Sequence, residues 1–116
     1  MATFTKTLLS GCTNGKQIKV VQTATAGTLI HTAIAGTSSL DEVWLWANNE
    51  HTADVVLTLE WGGVTVPDNN ITVTIPTKGG LVLVLPGILL QNSLVLRAFA
   101  ATANVIDLSG YVNRIV

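Results

Sequence analysis

The chain of 116 residues is 48% hydrophobic but only 11% charged, with six Lys and Arg set against seven Asp and Glu for a formal net charge of -1; soluble domains average about 25% charged. So sparse and balanced a charge set excludes the basic stripe needed to neutralise a run of phosphates, and with it bulk nucleic-acid binding. The length corresponds to one domain that buries roughly two-thirds of its unfolded surface and folds without disulfide staples.

Apolar residues recur with period two or in short continuous runs, and β-branched residues abound, so strands are expected throughout and no helix. Residues 1–16 read as a polar, Thr-rich N-terminal arm with Asn14-Gly15 as a turn signal, and residues 17–116 as the folded domain. Strands are expected at 17–23 and 28–34. After a turn at Gly36-Thr37-Ser38-Ser39, the strand 42–48 carries Val43, Leu45 and Ala47 on one face and Trp44 and Trp46 on the other, so both faces are apolar. In 54–61, Val55, Leu57, Leu59 and Trp61 point one way, while Val56, Thr58 and Glu60 make a wet face. Gly62-Gly63 and a loop through Pro67-Asp68 lead to a half-exposed strand at 70–75.

Residues 81–85 are apolar at every position, with Pro86-Gly87 ending the strand before a connection at 88–90. The strand 93–100 sets Leu94, Leu96, Ala98 and Ala100 opposite Val95, Arg97 and Phe99, and a final pair, 104–108 and 111–116, is split at Ser109-Gly110. Eight or nine short strands with turn signals between them and no helices specify an all-β, single-domain antiparallel β-sandwich, jelly-roll-like, with an extended N-terminal arm.

Three of these strands, 43–47, 81–85 and 94–100, have no wet face apart from Arg97. A two-layer sandwich covers one face of each sheet, and 116 residues leave no material for a third layer. The second face is therefore expected against another copy of the chain or a different protein, since an open patch of several hundred Å² invites aggregation. The alternative is a strongly twisted sandwich covered by its own arm and by the 88–90 connection. The single cysteine, Cys12, cannot close an intramolecular disulfide. Residues 1–10 lack the apolar core of a secretory signal, and 81–90 falls short of the roughly 20 residues of a spanning helix, so neither export nor membrane insertion is expected.

No catalytic motif is present. His31 and His51 stand 20 residues apart without metal-ligand spacing. His31 lies mid-strand and is expected to be a hydrogen-bonded packing residue, and His51 a solvated loop side chain. Asp41 and Glu42, adjacent at a turn-to-strand junction, are expected to point apart and be solvated, and Asp68 to serve its turn. Cys12 has no basic neighbour to activate it. No nucleophile, base and orienting group can be assembled, so no enzyme, metal or cofactor is expected.

Trp44, Trp46 and Trp61 make up half of the six aromatic residues. Tryptophans on a β surface stack on sugars or bury in protein interfaces. With no sequence-adjacent cluster of Asn, Asp and Arg to bind hydroxyls, core or interface packing is favoured. Arg97, the one charge in an apolar strand, must find a carboxylate or carbonyl, within the chain or across a subunit boundary.

Through His31-Thr32-Ala33, 40–48 (LDEVWLWAN), Glu60-Trp61-Gly62-Gly63 and 110–115 (GYVNRI), the chain resembles small virion structural proteins of tailed bacteriophages, most of all the capsid decoration, or cement, proteins. The resemblance implies a β-sandwich or β-tulip-like homotrimer, made in the host cytoplasm, that sits on the capsid surface and clamps neighbouring major capsid subunits. It implies that an extended N-terminal arm reaches the capsid. On this reading Trp44, Trp46, Arg97 and Phe99 are interface candidates and Phe4, on the arm, the candidate for capsid contact. A tail, baseplate or fibre-associated virion protein and a carbohydrate-binding sandwich remain the alternatives.

Overall fold

The computed structural model describes residues 2–116 as nine antiparallel strands in two packed sheets, with no helix among them. The strands are β1 (Phe4–Leu8), β2 (Ile18–Lys19), β3 (Thr28–Thr32), β4 (Leu40–Asn49), β5 (Val55–Trp61), β6 (Asn70–Ile75), β7 (Val82–Leu90), β8 (Val95–Ala100) and β9 (Ile106–Ile115). Sheet I runs β1-β9-β4-β7, with β2 also on β9, and sheet II runs β3-β8-β5-β6. The pairings β5 with β6, β4 with β7, β3 with β8 and β2 with β9 are nested within one another. A long antiparallel hairpin wrapped on itself produces that order, which is the jelly roll.

Alternate residues of each strand meet between the sheets. Val43, Leu45 and Ala47 of β4, Leu57 and Leu59 of β5, Leu96, Ala98 and Ala100 of β8, and Ile106, Leu108 and Val112 of β9 are fully buried in one core. Trp61 packs against its margin from the same face of β5 as Leu57 and Leu59.

The strand expected at 17–23 shrinks to Ile18–Lys19, that at 28–34 ends at Thr32 and that at 42–48 lengthens to Leu40–Asn49; three larger departures have local reasons. The segment read as an arm contains β1, paired residue by residue with β9 from Phe4 opposite Ile115 to Leu8 opposite Tyr111. Its side chains are nearly all exposed, so no apolar alternation marks it in the sequence. Pro86-Gly87 does not end β7, because β7 is an edge strand where a missing N–H breaks no ladder, and register shifts opposite Val43–Trp44 and Leu45–Trp46 absorb the irregularity. Ser109-Gly110 does not split β9 either. Gly110 lies so close to β4 that a Cβ there would run into the Trp44 carbonyl, so glycine is what lets the strand continue.

Candidate functional site

Strands β4 and β9 lie side by side at the centre of sheet I, and their register places two unusual clusters on opposite faces. The inward cluster is polar. Asp41 faces the core in phase with Val43 and Leu45 and is fully buried, opposite Arg114 of β9. Arg114 grips it through two bonds, Nε to Oδ1 at 2.8 Å and Nη2 to Oδ2 at 2.9 Å. The Ile34 amide donates to Oδ2 at 3.0 Å, and His31 Nε2 lies 2.8 Å from the same oxygen. The Ser10 amide donates to His31 Nδ1 at 3.0 Å. Nδ1 is therefore the acceptor, and the ring proton sits on Nε2, directed at Asp41.

Burial alone would raise the Asp41 pKa, but the hydrogen bonds from Arg114 and His31, reinforced by the charge of Arg114, outweigh it and hold the carboxyl below its ordinary value. The same partnership raises the Arg114 pKa. Because His31 belongs to sheet II and Asp41 and Arg114 to sheet I, the cluster ties the two sheets together. A serine, a histidine and an aspartate meet here, yet both ring nitrogens are engaged, and the Ser10 hydroxyl accepts the Thr32 amide at 2.7 Å instead of facing the imidazole. His31 is thus the hydrogen-bonded packing residue expected. Asp41 and Glu42 point to opposite faces as expected, but Asp41 is not solvated: the fold buries it. Asn49, at the other end of β4, makes a second polar tie, donating to the carbonyls of Ala53 and Ile75.

The outward cluster is aromatic. Trp44 and Trp46 stand on the outer face of β4, and Tyr111 sits opposite Trp44 on β9. The three ring centroids form a near-equilateral triangle with sides of 6.2 to 6.5 Å and interplanar angles of 17° to 29°. Trp44 Nε1 donates to Glu42 Oε1 at 2.6 Å, which fixes the indole. The ring reaches across β7 over Gly87, where a Cβ would come within 2.8 Å of it and where φ is +78°; glycine meets both demands. Lys6 Nζ lies 5.0 Å from the Tyr111 ring centroid.

Further apolar side chains lie on the same face of the sheet, Leu8 opposite Tyr111, Leu83 opposite Trp46, Leu89 opposite Glu42 and Phe4 farther along at Ile115, and they are 53%, 44%, 49% and 63% exposed. Neither segment expected to cover this face does so: β1 extends the plane of the sheet, and residues 88–90 are part of β7. The fold also brings Asn113 opposite Glu42 and Ser109 opposite Trp46, polar neighbours invisible in the linear sequence. Tyr111 was likewise hidden. The expected break at Ser109-Gly110 obscured it, and only the register with Trp44 places it on this face.

The remaining candidates lie elsewhere. Arg97 and Phe99 are on the outer face of sheet II, so they do not share a surface with Trp44, Trp46 and Phe4. Arg97 finds its partner within the chain, donating to the Gly27 carbonyl at 3.3 Å. Beside it Glu60, expected on a wet face, is fully buried. The loop before β3 covers it, with the Gly27 amide at 2.6 Å from Oε1 and the Thr25 hydroxyl at 2.7 Å from Oε2. A cleft of about 210 Å³ at the end of this sheet is lined by Gly62, Gly63, Ser93, Leu94 and Arg97 among others. Among the described residues no three His, Cys, Asp or Glu side chains converge in a way that could hold a metal.

No protein-family model matches the chain, and no curated protein or solved structure matches it.

Proposed function

We propose that this chain is a structural protein of a phage virion, a homo-oligomer, trimeric on the resemblance, that decorates the capsid surface and clamps neighbouring major capsid subunits. The observation that carries the reading is the outer face of sheet I: an aromatic triangle of Trp44, Trp46 and Tyr111 within an apolar surround that the chain leaves uncovered. Clustered tryptophan and tyrosine rings ringed by aliphatic side chains are the composition of a protein-binding hot spot.

Decoration works by mass action: a protein that binds only the mature shell stabilises it by RT ln(1 + [L]/Kd) at each site. An oligomer multiplies weak footings into firm retention, provided its geometry lets them engage together. Nothing in such a task requires a reactive group, which suits a molecule whose buried Asp41, His31 and Glu60 are all occupied by internal partners.

Light scattering on the eluting protein tests the association; an oligomer at micromolar concentration is expected, and a monomer overturns it. Cryo-EM of particles carrying the protein tests the location. Density repeated over the whole shell is expected, density at one vertex moves the protein to the tail, and none removes it from the virion. A second reading is favoured by the polar neighbours of the triangle, Glu42, Asn113 and Ser109: the rings stack on a carbohydrate whose hydroxyls these groups bind. Glycan-array binding lost in Trp44→Ala would establish that reading instead.

A further inference from the structure

The segment before residue 12 is built in two parts with different attachments. Residues 9–11 are anchored to the body. Leu9 is buried in the core, Ser10 is bonded through its amide to His31 and through its hydroxyl to the Thr32 amide, and the Gly11 amide donates to the Ile30 carbonyl at 2.9 Å. Strand β1, immediately before, has no such footing. None of Phe4–Leu8 belongs to the core, and the strand is held by its backbone ladder to β9, extended by reciprocal bonds between Thr3 and Val116 at 2.8 and 2.9 Å. A segment that buries little and hangs on an edge lies at the low end of local stability. Its release would require no core side chain to move, since Leu9 is, among the described residues, the first of the chain in the core.

The ladder that β1 makes with its own β9 can be made identically with the β9 of a second copy, because the two strands carry the same register information in either case. We propose that β1 is an exchangeable strand: on association it leaves its own β9 and pairs with β9 of a neighbouring copy, closing the oligomer through strand exchange. The inference rests on the reading that copies of this chain associate. Exchange is a low-cost route to an oligomer because it creates no unsatisfied edge once the ring is closed. Its reach is bounded. From the anchor at Leu9, residues 2–8 span roughly 23 Å when extended, so the edge of the receiving β9 must lie within that distance of Leu9. A second copy is the fitting occupant because its strand restores Lys6 over Tyr111, Leu8 opposite Tyr111 and Phe4 opposite Ile115, the pairings these residues have within one chain.

Disulfide trapping tests the proposal on the full chain. The reciprocal Thr3–Val116 bonds make that a hydrogen-bonded pair, so with alternation Phe4–Ile115 and Lys6–Asn113 are non-hydrogen-bonded pairs, whose close Cα atoms suit a disulfide. In a Cys12→Ser background, one tagged chain carries Lys6→Cys and a differently tagged chain Asn113→Cys. Any disulfide between the two tags is then made in trans. On mild oxidation of the co-expressed oligomer, the inter-tag disulfide is expected at about tenfold over an out-of-register pair of Lys6→Cys with Asp107→Cys. Phe4→Cys with Ile115→Cys repeats the test at a second position should the first pair disturb folding. With both substitutions on one chain, oxidising the monomer before assembly locks β1 in place and is expected to abolish association, with reduction restoring it. An oligomer whose two tags form no more inter-tag disulfide than the out-of-register pair, or one that assembles with β1 locked, overturns exchange and leaves the association standing. A chain that stays monomeric overturns both.

Discussion

The two clusters on β4 and β9 invert the usual distribution of residues: Asp41 and Arg114 lie toward the core, while Trp44, Trp46 and Tyr111 lie outside. They differ in what is left over. The polar cluster is closed, since the Asp41 carboxylate takes four bonds from inside the chain and both nitrogens of His31 are used. The aromatic cluster is open, since its rings meet one another, Glu42 and Lys6, and the apolar side chains around them face outward. Burial of charge therefore marks the part of the molecule that holds itself together, and exposed aromatic surface marks the face proposed above to meet another chain.

That contrast can be broken by substitutions that act on one cluster alone. The largest effect is expected from Asp41→Ala, which strands a buried His31 and a half-buried Arg114 and should lower unfolding free energy by about 3–5 kcal/mol in urea titrations. The pH dependence follows from the same residue. Its folded pKa lies below the unfolded one, so its stabilisation is complete above the ordinary carboxylate range and is lost as pH falls below about 4. Acid-induced unfolding that Asp41→Ala fails to flatten in that window would remove the clasp role.

Next comes Trp46→Lys, expected to raise the self-association Kd about 100-fold in sedimentation equilibrium while changing unfolding free energy by less than about 1 kcal/mol. Equal losses of stability and association would collapse the distinction between the clusters. Glu60→Ala on sheet II leaves the Gly27 amide without its acceptor and should cost about 1–3 kcal/mol of stability with association intact. The smallest effect is Lys6→Ala, which removes the cation over Tyr111 and is worth about 0.5–1 kcal/mol.

Most strands were legible because their burial follows period two. The inward position of Asp41 was written in that phase as well, since it lies two residues before Val43 and four before Leu45. Its partners were not, because Arg114 is far away in sequence and joins it only through the β4–β9 register. Glu60 was hidden for a different reason: its phase points outward, and a loop from another part of the chain covers it. Strand β1 left no pattern because almost all of its side chains are exposed, so only the pairing with β9 defines it. Pro86 and Gly110 were read as breaks because both usually are; an edge position excuses the first, and the tight approach of Trp44 demands the second.

The nested pairing of strands has a kinetic consequence. β5 and β6 are joined by the short loop 62–69, whereas β4 with β7, β3 with β8 and β2 with β9 close successively wider spans of chain. Loop-closure entropy makes the innermost hairpin the cheapest to form and each outer pair dependent on the one inside it. That order predicts folding from the middle of the sequence toward its two ends, slow for so short a chain, with the aromatic face on β4 and β9 completed when the outer pairs engage. A nascent chain cannot present that face until synthesis has passed residue 111, which, on the proposed association, would hold assembly back until β9 is made.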